Sequence, residues 1–182
     1  MKFMIDKGAS RFTVQAFATG MLSSFGHNPT IGMRDYDGEI EFVPDTFENA
    51  RVSVTVRTNR MEVLTEMKSD DRRKLEQEMY DTVLDAEHFP SAVFESKTIT
   101  VEKLTNDLLR ARVSGDLSFH GVTQAQSFDA RVTNMGTMMR ISGDFSLRQS
   151  DYGIKPVSFA GGALKLKDEV KFNFELVARK QE

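Results

Sequence analysis

Residues 115–128 read GDLSFHGVTQAQSF. In an extended chain successive side chains point to opposite faces, so Leu117 and Phe119 share one side while Asp116, Ser118 and His120 take the other. His120-Gly121 then interrupts the run as a turn dipeptide, and a second extended run leads on to Phe128. The stretch reads as a β-hairpin with one apolar face. The same two-residue period reaches back along Leu109, Ala111 and Val113, set against Arg110, Arg112 and Ser114.

The pattern recurs along the chain. Phe12, Val14, Ala16 and Ala18 alternate with Thr13, Gln15 and Phe17. Tyr36 to Phe42, Val52 to Val56, Met139 to Leu147 and Val170 to Leu176 behave alike, and weaker runs lie near 92–101 and 126–133. About eight strands result. Turn signals at Asn106-Asp107 and Asn134-Met135-Gly136 separate them. Eight long antiparallel strands leave exposed edges unless the sheet closes, and closure at that number encloses packed side chains or one small ligand. A sandwich satisfies the same periodicity.

One segment departs from this period. Between Met61 and Glu87 there is neither Gly nor Pro, and Leu64, Met67, Leu75, Met79, Val83 and Ala86 recur at helical spacing amid charges. This predicts an amphipathic helix over about 62–87, as one piece or two, capped at Ser69 or Asp70 and ended by His88-Phe89-Pro90. It would cap or flank one end of the barrel.

The chain has 182 residues, 40% apolar and 28% charged, which suits a single domain over 1–182 with a core of its own. Its 24 Lys and Arg against 27 Asp and Glu leave a net charge of −3. A weakly acidic chain, whose one short basic run at Arg72-Arg73-Lys74 is neutralised by Asp70-Asp71, is not expected to partner nucleic acid. The absence of cysteine excludes disulfides, thiol nucleophiles and thiolate metal sites. No run approaches the roughly 20 apolar residues of a membrane-spanning helix. In the opening MKFMIDKGASRFTVQAFA, Asp6 and Lys7 interrupt any leader-like apolar stretch. The expectation is a cytoplasmic protein, or a periplasmic one if a leader has been removed.

No sequence signature of a nucleotide site, a hydrolase elbow or a zinc protease is present. His27, His88 and His120 are too far apart in sequence to show a metal-ligand spacing, and each stands at a junction between elements, where a ring bonds loop backbone. Ser23 and Ser24 lie near His27, but sequence adjacency does not align a proton transfer. Asp35 and Asp37 read as a solvated strand face, and Asp70-Asp71 followed by Arg72-Arg73-Lys74 as a solvated helix. No catalytic set, metal or cofactor is expected. The 14 phenylalanines and 10 methionines are the unusual feature. They fit a packed core, and equally the wall of an apolar tunnel.

In order and spacing, several stretches together resemble the YceI-like family, lipocalin-shaped bacterial barrels that bind polyisoprenoids. They are FMIDKGASRF, YDGEIEF, SDDRRKL followed by VLDAEHFPSAVFES, GDLSFHGVTQAQSF, LRQSDYGI and LKDEVKFNFEL. Ala9 stands where the family often has histidine, and the segment between Arg73 and Val83 is longer than usual. The resemblance implies an all-β, eight-stranded antiparallel lipocalin-like barrel with a helical cap. It also implies a long isoprenoid-type lipid, such as a polyprenyl phosphate or a quinone-like lipid, held in the tunnel without catalytic residues.

Alternation assigns Phe12, Val14, Val54, Val56, Val113, Leu117, Phe119, Phe145, Phe172 and Phe174 to the inner, ligand-binding face. An anionic head group would sit near Arg72 or Arg148, on sign alone. Two rivals stand beside lipid carriage: a filled barrel acting as a protein-interaction or homodimer module, and an enzyme using His27 or His120.

Overall fold

The computed structural model describes residues 1–19, 28–155, 158–159 and 164–181. His27, Ser23, Ser24 and Gly161-Gly162, singled out from the sequence, lie outside them.

Twelve strands among the described residues form one sheet. In chain order they are β1 (Lys2–Ile5), β2 (Arg11–Thr19), β3 (Thr30–Met33), β4 (Tyr36–Glu41), β5 (Arg51–Arg57), β6 (Met61–Val63), β7 (Ser91–Lys103), β8 (Leu108–Phe119), β9 (Val122–Asn134), β10 (Met138–Arg148), β11 (Ser158–Phe159) and β12 (Leu164–Lys180). Antiparallel pairing runs β1–β4–β5–β7–β8–β9–β10–β12, and β12 returns to β1 through Phe3↔Lys180 and Ile5↔Ala178. Eight strands thus close a ring. β12, at 17 residues, also pairs over Lys165–Glu175 with β2, from which β3 and β6 continue as a flange. β1 and β2 share one place in the wall, divided by the turn at 6–10.

The helical segment is shorter than its sequence pattern predicts. α1 spans Ser69–Glu78 and runs into a π-helical turn at Met79–Val83. The first residues of the predicted helix, 62–63, belong instead to β6. Their backbone is claimed by β3, with Ile31↔Val63 and Gly32↔Glu62 in register, and Glu76 accepts the Val63 N–H at 2.9 Å. Lys68, not Ser69 or Asp70, is the N-cap, and no side chain caps the helix. Met79 in this turn and Leu84 and Ala86 beyond it are buried against Ile31, Met61 and Phe119, which seats the helical segment on one end of the barrel.

That end is the cap end. It holds the Phe119–Val122 turn and a 3-10 turn at Gln149–Tyr152, and it is packed solid: Tyr36, Thr58, Val63 and Tyr152 are each at most 2% exposed. The opposite end carries the turns near 42–50, 104–107 and 135–137. Charges stay outside the wall. Every ion pair among the described residues joins side chains at least 31% exposed, as in Lys7–Asp35 at 2.6 Å and Arg57–Asp37 at 2.9 Å. The two aspartates near β4 are therefore spent on surface pairing.

Candidate functional site

The inner face is an aromatic belt. Register places Phe172 of β12 between Phe145 of β10 and Val14 of β2, and Phe174 between Gly143 and Phe12. Phe145 and Phe172 stack with centroids 4.8 Å apart, Phe128 and Phe145 lie at 5.4 Å, and Phe94 and Phe128 also at 5.4 Å. Phe12 meets Phe172 at 6.2 Å and the ring of Tyr36 edge-on at 5.8 Å. Offset and edge contacts of this kind add to the burial they accompany. Small residues break the belt: Ala111 pairs directly with Ala130, and Ala130 with Gly143.

Where the small residues leave room, a cavity of about 200 Å³ runs inside the barrel. Of the 33 residues on its wall only Thr58, Gln126 and Asn134 are polar. The wall reaches Phe47, Ala50 and Asn134 at the end opposite the cap, so the space extends from the packed end toward the turns there. The phenols of Tyr36 and Tyr152, at the packed end, are pushed up by burial and stay neutral at ordinary pH.

Nine of the ten residues assigned to the inner face by alternation stand on this wall: Phe12, Val54, Val56, Val113, Leu117, Phe119, Phe145, Phe172 and Phe174. Val14 does not border the cavity. It faces inward but is buried in the cluster that includes Leu147, Tyr152, Ile154 and Val170, which fills the cap end. Neither arginine borders the cavity. Arg72 lies on α1, half-buried, with its Nε enclosed and unpartnered among the described residues. Arg148 ends β10 in a surface crevice beside Asp151 and Glu169, so the positive charge inferred from sign alone is offset by two carboxylates.

The two described histidines, His88 and His120, each contact neighbouring structure. His88 Nδ1 lies 2.7 Å from Asp85 on an exposed turn, and that carboxylate raises its pKa. His120 sits at φ 51° and Gly121 at φ 75°, the paired left-handed conformation of a two-residue hairpin turn. The His120 ring packs on Phe89 with centroids 4.5 Å apart, and its Nδ1 lies 3.1 Å from the Tyr152 carbonyl. His120→Asn, which tolerates this backbone, is expected to shift the melting temperature by no more than a few degrees. His120→Val should cost about 1–2 kcal/mol, read by thermal denaturation. Among the described residues no three His, Cys, Asp or Glu side chains group as metal ligands.

Sequence reasoning missed Gln126, which borders the cavity, and Gln124, which lies on the same strand face but is exposed. β9 pairs with β8 as Phe119↔Val122, Leu117↔Gln124, Gly115↔Gln126 and Val113↔Phe128, so Gln124 and Gln126 share the face of Val122 and Phe128. The signal was present in the opening stretch, as two amides at i and i+2 on an otherwise apolar side.

The family model for the YceI-like domain matches residues 3–178, almost the whole chain. The protein belongs to the YceI-like family. A relative, a UPF0312 protein of Pseudomonas fluorescens, is 32% identical over 124 residues, which is 67% of this chain and 58% of that protein. The match thus spans little more than half of that relative's length. Among solved structures, Burkholderia cenocepacia BcnA superposes with a TM-score of 0.73 at 16% identity, covering 95% of this chain and 98% of that one. A polyisoprenoid binding domain from Saccharophagus degradans, implicated in plant cell wall breakdown, gives 0.72 at 14% identity, covering 98% of each chain. The Campylobacter jejuni YceI protein gives 0.63 at 20% identity, over 86% of this chain and 88% of that one. At these identities the structures establish a shared fold, and this chain is a YceI-like barrel with its own lining.

Proposed function

We propose that the protein binds, sequesters or carries a long apolar lipid of the isoprenoid type inside the barrel, acting as a binding protein and not an enzyme. The observation that supports this is the cavity wall, apolar at 30 of its 33 positions and continuous from the packed end toward the opposite turns. Burial supplies the affinity: each CH₂ moved from water contributes about 0.8 kcal/mol, so a few prenyl units bind with little polar help. The space is smaller than the roughly 300–1,000 Å³ of most ligand sites. A long chain therefore enters by re-packing its wall, for which Met33, Met61 and Met139 on that wall are suited, being unbranched and adaptable. The polyisoprenoid-binding relative of the same fold adds support by analogy.

The small volume also favours a second reading, a barrel filled by its own side chains that serves as an interaction or homodimer module. Organic extraction of the purified protein, followed by mass spectrometry, separates the two. Lipid carriage predicts about one apolar lipid per chain, or, if it is lost in purification, saturable uptake of added geranylgeraniol. Neither lipid nor uptake would leave the filled barrel standing.

A further inference from the structure

The barrel wall is unzipped along one seam. β9 and β10 pair only from Asn134↔Met139 to Ala130↔Gly143. Beyond that point β9 stays on β8 as far as Val122, and β10 stays on β12 as far as Arg148, but no ladder joins them to each other. Continuing the register would set Asp129 opposite Asp144, and like charges directly opposite destabilise a strand pair. Each aspartate turns to another strand instead, Asp129 to Arg112 of β8 at 3.2 Å and Asp144 to Lys171 of β12 at 3.0 Å. Past them the seam is spanned by the stacked rings of Phe128 and Phe145 and by Gln124, whose Nε2 donates to the Asp151 carbonyl at 3.1 Å.

The gap forms a polar crevice bordered by Gln124, Gln126, Arg148, Asp151 and Glu169. Gln126 and Leu147 line both this crevice and the apolar cavity, so they stand between the two spaces. Gln126 makes one weak hydrogen bond, from its Nε2 to the Ser127 carbonyl at 3.3 Å, and among the described residues its amide oxygen accepts none. On a wall whose other polar residues are Thr58 and Asn134, Gln126 thus brings an amide to the crevice, where Gln124 supplies a second one.

We propose that this seam seats the polar head of the lipid, with Gln124 and Gln126 as its hydrogen-bonding partners, and that the seat takes a neutral hydroxyl or carbonyl and not a phosphate. The proposal rests on the lipid-carrier reading and narrows its ligand class. Carboxamides donate and accept, which matches an alcohol or a quinone-like carbonyl. The charges argue against a phosphate. Among the described residues Arg148 is the one cation on the crevice, against Asp151 and Glu169, and Asp168, next to Glu169 in sequence, is a further acid near Arg148. A bound phosphate would meet net negative surroundings.

The test compares three probes of matched chain length on the full protein: geranylgeraniol, geranylgeranyl phosphate and the corresponding hydrocarbon. Geranylgeraniol is expected to bind about tenfold more tightly than either of the others. Gln126→Leu should bring alcohol and hydrocarbon to within about twofold of each other. Retained hydrocarbon binding shows that the variant is folded, and Gln124→Leu provides a second variant if it is not. Preference for the phosphate, equal binding of alcohol and hydrocarbon by the unaltered protein, or an undiminished alcohol preference in both leucine variants would overturn the head-group seat while leaving lipid carriage intact. Failure of all three probes to bind would overturn carriage itself.

Discussion

Gly115→Ala is expected to cost at least about 3 kcal/mol, a fall in melting temperature of roughly 6–12 °C for a chain of this size. The cause is steric. A Cβ built on Gly115 would stand 2.1 Å from the carbonyl oxygen of Glu95 and 2.7 Å from the Cα of Ser96, both backbone atoms of the neighbouring strand. That strand approaches so closely because β7 carries a bulge there: its register with β8 slips between Ser96 and Thr98, and Lys97 is the extra residue. The bulge has little freedom to retreat. Ser96 Oγ accepts the Val52 N–H at 2.8 Å from the far side, and Lys97 is held to Asp116, the residue after Gly115, at 2.6 Å. Gly8→Ala is the control, since a Cβ there meets only Asp6 Oδ1 at an ordinary 3.4 Å and the backbone is not left-handed. Thermal melts of both variants decide the matter. A Gly115→Ala protein melting within about 2 °C of the parent would mean that the bulge yields, and that the first glycine of the hairpin stretch is not explained by it.

This bulge marks the limit of what alternation tells. Period-two patterning made β5, β8, β10 and β12 legible, because one face of each is wet and the other meets the interior, and a face assignment needs no knowledge of the partner strand. β1, β3 and β6 escaped because KFMI, TIGM and MEV are too short to show a period. β6 was absorbed into a helical pattern, and only its long-range pairing with Ile31–Met33 identifies it as a strand. Closure therefore depends on a strand, β1, that periodicity could not reveal. The candidate site divides in the same way. Direction inward is a local property, and nine of ten assigned residues border the cavity. Whether an inward residue meets open space or a packed neighbour is a property of the whole barrel. Val14 differs from Phe12 because Leu147, Tyr152 and Val170 converge on its level at the cap end. The seam lay beyond sequence reasoning for a related reason: Asp129 and Asp144 become opposed only once the register of β9 and β10 is known. Charge sign alone could not show that Asp151 and Glu169 share the crevice of Arg148, because they reach it from elsewhere in the chain.

Ala111→Phe is expected to weaken binding of geranylgeraniol by roughly ten- to a hundredfold while leaving the melting temperature unchanged or higher. Ala111 sits on β8 between Val101 of β7 and Ala130 of β9, and the two facing alanines make the recess that the cavity occupies at this level. A ring introduced there takes a large share of about 200 Å³. Displacing even two methylene groups of a bound chain forfeits about 1.6 kcal/mol, already more than tenfold in Kd. The stability half of the prediction carries equal weight, because the two readings of the barrel give opposite signs. In a hollow barrel the ring fills vacant apolar space, a change that commonly stabilises by about 0.5–2 kcal/mol. In a barrel already packed solid the same ring has to displace its neighbours, Phe128 and Val132 among them, and overpacking costs about 1–3 kcal/mol. Lost binding with a retained or raised melting point is the signature of a tunnel kept open for a ligand. A lowered melting point, in a protein that takes up no isoprenoid before or after the change, is the signature of a core, and would assign the aromatic belt to packing alone.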